Sequence, residues 1–200
     1  MDTSKTFRRE EKMKYYLKLG LILFAVSALA TGILAYLNSF TAPMIAEVKR
    51  VNAENARKEV MPDAVQFEQQ FLIAGSEKDT DIYYIAKNEA GEAIGYVLTV
   101  SLYGYSSDVK TVVGLKQDLS INQIKVIEQA ETPGLGAKAS TPEFADKFTG
   151  KSLPQLMVDK DGGAIVSITG ATITTRTVTN SINAGIKRLQ GVLSAEVTNG

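Results

Sequence analysis

Thr169-Gly170-Ala171-Thr172, running on into Ile173-Thr174-Thr175, sets hydroxyl groups around a minimal Gly-Ala pair. Residues of this kind can hold a phosphate and offer it an oxygen. Upstream, Ala164 to Ile168 is an apolar run that reads as a short buried strand. Downstream, Val178, Ile182, Ile186, Leu189 and Leu193 recur at three- and four-residue spacing, one face of a helix. The tetrapeptide therefore falls where a strand turns into a helix. Unpaired backbone N–H groups point outward at such a turn, and the helix dipole favours negative charge. Gly170 allows close backbone approach, Ala171 adds little bulk, and Thr172 brings a hydroxyl beside the phosphate position. A plain helix cap draws on the same small hydroxyl residues.

A second segment, Glu131-Thr132-Pro133-Gly134-Leu135-Gly136, continues neither as strand nor as helix. Pro133 fixes one dihedral, while Gly134 and Gly136 free the chain around it. Backbone amides of such a loop can approach the polar edge of a planar ring. Leu135 can then lie over the ring's face, and Thr132 adds a hydroxyl. An ordinary Pro-Gly turn has the same composition. Tyr103-Gly104-Tyr105-Ser106-Ser107, by itself, reads as a strand end with exposed tyrosines. Lys138 and Lys151 could neutralise a phosphate, or could be solvated surface.

Taken together, in this order and after one apolar span, the two motifs resemble the flavin-binding domain of the G subunit of the Rnf electron-transport complex. The C subunit of the sodium-pumping NADH:quinone reductase shares that domain. The resemblance covers nearly the whole chain. It implies FMN held by a phosphoester to Thr172, the last residue of the S/T-G-A-T motif. The resemblance also has Thr169, Gly170 and Ala171 shape the turn, Glu131, Thr132, Pro133, Gly134, Leu135 and Gly136 contact the flavin, and the Tyr103-Gly104-Tyr105-Ser106-Ser107 loop stand near it as a wall of the site. It also implies a dedicated flavin transferase that makes the bond, and other membrane subunits of the complex as partners. The role implied is an electron relay in an ion-translocating ferredoxin:NAD oxidoreductase, as part of a translocase and without catalysis on its own. The Rnf assignment is preferred because the quinone-reductase C subunits tend to be longer and this chain is compact. That C subunit, a lone membrane-anchored flavoprotein and a cofactor-free ectodomain stand as alternatives. The family motif often begins with an acid six positions before the modified threonine, where this chain has Val166; Asp159 and Asp161 do not fall at that spacing.

Composition narrows the classes independently. The chain has 200 residues, room for one ordinary domain and an appendage. Lys+Arg and Asp+Glu are each 22, so no basic footprint marks a nucleic-acid partner. There is no cysteine and no histidine. Disulfides, thiolate-held iron–sulfur clusters, the usual zinc sites, Cys/His dyads and Ser/His/Asp triads are excluded. No catalytic side chain and no metal site is expected, and redox chemistry would need a bound organic cofactor.

The elements that must carry these motifs begin with Leu19 to Leu37, free of charge and rich in Leu, Ile, Ala, Val and Phe. At about 1.5 Å per residue this run crosses a hydrocarbon core of about 30 Å, with Tyr15, Tyr16 and Tyr36 at its ends. Ala28-Leu29-Ala30 has the form of a signal cleavage site, but the apolar run continues past it. Lys5, Arg8, Arg9, Lys12, Lys14 and Lys18 precede the span while Lys49, Arg50, Arg57 and Lys58 follow it farther away, and the positive-inside rule favours the N-terminus in the cytoplasm. The domain then lies on the periplasmic or extracellular side. Thr41 is expected to cap a connecting helix that Pro62 ends. Ile82–Lys87, Ala93–Leu102, Val109–Lys116 and Gln123–Glu128 read as an antiparallel meander. Thr141 and Pro142 open a short helix whose Phe144 and Phe148 pack inward. The expected organisation is a cytoplasmic tail over 1–18, a transmembrane helix over 19–37, a connecting helix over 38–65 and an FMN-binding domain over 66–200. The fold class is α+β, with an antiparallel sheet and helices after one membrane helix.

Overall fold

The computed structural model describes residues 3–73 and 78–199. Met1 and Asp2 of the expected tail, and residues 74–77 and Gly200 of the expected domain, lie outside the described residues. The chain divides into two units, Met1–Arg50 and Val51–Gly200.

The first unit is helical and belongs to α1, Thr3–Val60. Its apolar side chains, among them Leu21, Phe24, Leu29 and Leu34, are exposed, as a lipid-facing span requires. The helix is long and apolar enough to cross a membrane. Thr41 caps nothing: the helix runs through it, and its hydroxyl donates back to the Leu37 carbonyl at 3.2 Å. Pro43 also sits inside the helix, which passes it without a break. With the first-turn donors of any new helix already satisfied by the preceding turn, position 41 has no orphan groups to cap.

The second unit is an α+β domain built on a five-stranded antiparallel sheet in the order β1-β2-β3-β4-β5. The strands are β1 (Gln66–Phe71), β2 (Ile82–Lys87), β3 (Ala93–Tyr103), β4 (Asp108–Lys116) and β5 (Ile121–Glu128). The meander matches the expected four strands. The unexpected one is β1, a Gln- and Glu-rich edge strand paired on one side only with β2.

Side-chain alternation along the strands builds two cores. Leu98, Val100, Val109, Val113 and Leu115 face α3 (Thr172–Asn199), whose Val178, Ile182, Ile186 and Leu189 are fully buried against them. Val97 and Val112 face the other way, onto Ala56 and Val60 of the last turns of α1. Two glycines allow these close approaches. A Cβ at Gly185 would stand 2.4 Å from Val100 Cγ1, and one at Gly114 would stand 2.4 Å from the Val60 carbonyl oxygen.

Two local expectations change. Ala164–Ile168 forms no strand; it makes a single parallel bridge, Val158 to Ile165. Ile165 and Ile168 are buried one by one while Val166 is exposed, so the run anchors to the core without a ladder partner. The outer edge of β5 at Ile121 is bonded instead to Gly150 and Lys151. Short α2, Pro142–Ala145, has Pro142 in its first turn and buries Phe144, with Phe148 buried just beyond it. Thr141 makes no side-chain cap there, because its hydroxyl donates to the Lys138 carbonyl at 3.0 Å.

Candidate functional site

The turn into α3 is tied down on its buried side. The Ala171 N–H donates to the Ile168 carbonyl at 2.9 Å, and Gly170 takes a left-handed φ of 77°. A Cβ at Gly170 would also come within 3.0 Å of Leu135 Cδ2, so glycine serves both the turn and the contact. Thr175 staples the turn: its hydroxyl donates to the Ala171 carbonyl at 3.0 Å and accepts the Ile168 N–H at 3.1 Å. Thr174 is buried, and its hydroxyl donates to Glu131 Oε2 at 2.6 Å.

Thr172 differs from both. It is half-buried, and its hydroxyl has no hydrogen-bond partner among the described residues. Among the described residues the backbone N–H groups of Thr172, Ile173 and Thr174 also have no acceptor, as expected for a first helical turn. An oxygen, three free donors and the positive end of a long helix thus converge.

Glu131 is the hub of the second motif and is 5% exposed. Its Oε1 accepts the N–H groups of Tyr105 at 3.1 Å, Ser106 at 3.0 Å and Ser107 at 3.1 Å. Its Oε2 takes the Thr174 hydroxyl. Gly104 and Gly136 close around it: a Cβ at either would stand 2.7 Å from Oε1 or 2.8 Å from Oε2 respectively. Burial by itself raises the Glu131 pKa. The Thr174 hydroxyl and the N–H groups of Ser106, Ser107 and Tyr105 outweigh it and hold the pKa below the ordinary glutamate value. Two further bonds lock the same loop, Ser106 hydroxyl to the Ala130 carbonyl at 2.8 Å and the Ala130 N–H to the Ser107 hydroxyl at 2.7 Å.

The two motifs face one cavity of about 570 Å³. Glu131, Thr132, Leu135, Gly136, Gly170, Ala171 and Thr172 line it, joined by Tyr105, Ile173 and Thr174. Pro133, Gly134 and Thr169 are exposed and are not in the lining. Lys138 and Lys151 are not in the lining either, and no other Lys or Arg is. In the sequence Thr174 belongs to the run-on after the motif and stands, with Thr175, as an alternative acceptor to Thr172. Its signal is the two-residue offset from Thr172, which turns it toward the core on a helix of about 3.6 residues per turn.

Beside the turn, the loop before it carries its own charges. Asp159 accepts the Ser167 N–H at 3.0 Å and also the Ser167 hydroxyl, bonds that lower its pKa. Asp161 pairs with Arg176 through two bonds of 2.8 Å, which lowers its pKa as well. A carboxylate therefore sits on the residue next to Val166, although Asp159 lies eight positions before Ser167 in sequence.

The residues present fit a phosphorylated planar cofactor. The volume lies within the roughly 300–1,000 Å³ of small-molecule sites. The free amides at α3 suit a phosphate. Leu135, Ile173 and Tyr105, all partly exposed at the mouth, supply apolar surface for a ring.

The fold and this site define an FMN-binding domain: residues 104–187 match the family model of that description. The C subunit of the Na(+)-translocating NADH-quinone reductase of Parabacteroides distasonis has the same fold, with a TM-score of 0.50 and 22% identity over 62% of this chain and 75% of that one. The G subunit of the Na(+)-translocating ferredoxin:NAD(+) oxidoreductase complex of Acetobacterium woodii is 40% identical over 96% of this chain and 99% of its own length. Its counterpart in the ion-translocating oxidoreductase complex of Methanosarcina acetivorans is 32% identical over 84% of this chain and 92% of its own. The chain belongs to the family of G subunits of the ion-translocating oxidoreductase complexes.

Proposed function

We propose that this chain is a membrane-anchored electron-relay component of an ion-translocating ferredoxin:NAD oxidoreductase complex, carrying FMN through a phosphoester to Thr172. The observation that carries the reading is the Thr172 hydroxyl. It is the one threonine hydroxyl of the α3 start that opens on the cavity without a partner, while those of Thr174 and Thr175 are buried and engaged. The free amides of the same turn hold the phosphate, and Gly170 and Ala171 keep bulk away from it. Thr132, Leu135 and Gly136 lie where the ring would rest, with Tyr105 and Ile173 at the rim. Thr169, Pro133 and Gly134 shape the two turns from outside.

Bound flavin supplies one-electron transfer, a chemistry no side chain of this chain offers. A covalent tether suits a soluble cofactor held outside the cytoplasm, and a dedicated flavin transferase makes the bond. The cationic residues before Leu19 orient the N-terminus inward, which leaves the domain on the periplasmic or extracellular face. Assignment to the ferredoxin:NAD complex over the quinone reductase rests on the near-complete match in length to the Acetobacterium woodii protein. Other membrane subunits of the complex are its partners.

The test is intact mass with in-gel flavin fluorescence on protein purified from its native membrane. A gain of one FMN less water, with fluorescence that survives denaturation, is the expected result. An unmodified mass from cells that possess the transferase would reject the relay and favour a cofactor-free ectodomain.

A further inference from the structure

We infer that Glu131 acts on the electron-transfer step without touching the flavin: it ties the 104–107 loop to α3, and its buried negative charge lowers the reduction potential of a flavin seated in the cavity. The inference rests on the flavin reading of the site.

Three observations carry it. First, both carboxylate oxygens are already occupied by protein donors, from Tyr105, Ser106 and Ser107 on one side and Thr174 on the other. The group is therefore a poor direct ligand for a ring, although it belongs to the cavity wall. Second, every one of those donors is neutral. Among the described residues no Lys or Arg pairs with Glu131, and none lines the cavity. Successive N–H dipoles spread the charge as an anion nest does, but they do not cancel it. Third, Glu131 as a residue is 5% exposed, so its side chain sits against protein more than against water. A fixed anion in a low-dielectric wall raises the energy of any electron added beside it.

The arrangement also offers variants that separate charge from fold. In Glu131→Gln the amide oxygen can still accept from the 105–107 N–H groups, and the amide nitrogen can donate to the Thr174 oxygen. Charge is lost and the bonds are largely kept. Thr174→Val does the reverse: the charge stays and one dipole that compensates it is removed.

Redox potentiometry of the full-length, flavin-loaded chain in detergent tests this, after mass spectrometry confirms equal loading. The expected shifts have opposite signs, to more positive potential in Glu131→Gln and to more negative potential in Thr174→Val. In the unloaded chain, amide exchange at Tyr105, Ser106 and Ser107 is expected to speed up in Glu131→Gln, since neutral acceptors bind N–H groups more weakly. Equal potentials in wild type and Glu131→Gln at equal loading would overturn the inference. If Glu131→Gln fails to fold, an unchanged or positive shift in Thr174→Val would overturn it. A wild-type chain that takes no flavin in the presence of the transferase would reject the flavin reading, and this inference with it.

Discussion

The Thr174 hydroxyl meets the Glu131 carboxylate at 2.6 Å across 43 residues of sequence, and through it the two motifs become one site. On one side of this bond lies the loop of Tyr105 to Ser107; on the other lies the helix that presents Thr172. Thr174, two residues after Thr172, is thus engaged in structure, while the Thr172 hydroxyl has no partner among the described residues. That division of roles, and the packing beneath it, governs how variants should behave.

Thr172→Ala should abolish covalent flavin while the domain stays folded, since no hydrogen bond among the described residues uses that hydroxyl. Thr175→Val should retain the flavin and cost stability, about 1–3 kcal/mol, because it leaves the buried Ile168 N–H unsatisfied. Intact mass and urea unfolding read the two effects. Covalent flavin persisting in Thr172→Ala would move the attachment elsewhere.

Acid should destabilise the domain through Glu131. Its folded pKa lies below the ordinary value, so the unfolded chain takes up a proton first as pH falls. The stabilisation is complete above the unfolded value of about 4.3 and is lost as pH drops through the lower folded pKa. Asp159 and Asp161 have lowered pKa values as well and add to the same acid limb. Urea unfolding across this window should show a shallower acid limb in Glu131→Gln, without becoming flat.

Gly185→Val should loosen the whole site from a distance. Its side chain would run into Val100 and Leu98, where α3 lies against β3. Overpacking of this kind costs about 1–3 kcal/mol. A lower unfolding midpoint is expected, together with reduced flavin loading.

Asp159→Ala should slow flavin attachment. The family resemblance expects an acid at position 166, and here the fold brings the Asp159 carboxylate onto neighbouring Ser167. The time course of mass gain with transferase present measures the effect. Adding Val166→Asp to that variant should restore the rate; no recovery would assign Asp159 a role in shaping the loop alone.

Much of this protein is readable without coordinates, because its signals are local. An uncharged run from Leu19 to Leu37, the period of Val178 to Leu189, and the Tyr-, Ile- and Val-rich runs Ile82–Lys87 and Ala93–Leu102 each depend only on near neighbours. Signals that depend on competition are not readable in this way. Thr41 and Thr141 look like caps, yet their hydroxyls turn back to carbonyls three or four residues earlier. Ala164–Ile168 has strand composition, but no ladder partner meets it. Strand β1 pairs despite its Gln and Glu content because β2 offers it an edge.

The sequence by itself determined the main elements: a span, a four-strand meander, a long amphipathic helix, a turn of the kind that suits a phosphate and a Pro-Gly loop able to approach a ring. Residue type and spacing suffice for those, since backbone preference and periodicity act within a few residues. Only the tertiary structure decided which hydroxyl of the α3 start lacks a partner among the described residues, and that Glu131 is buried with both carboxylate oxygens engaged by protein donors. Those outcomes depend on partners brought together from Tyr105, Glu131 and Thr174. Long-range packing of α3 on the sheet sets which of these groups meet, and no local pattern records it.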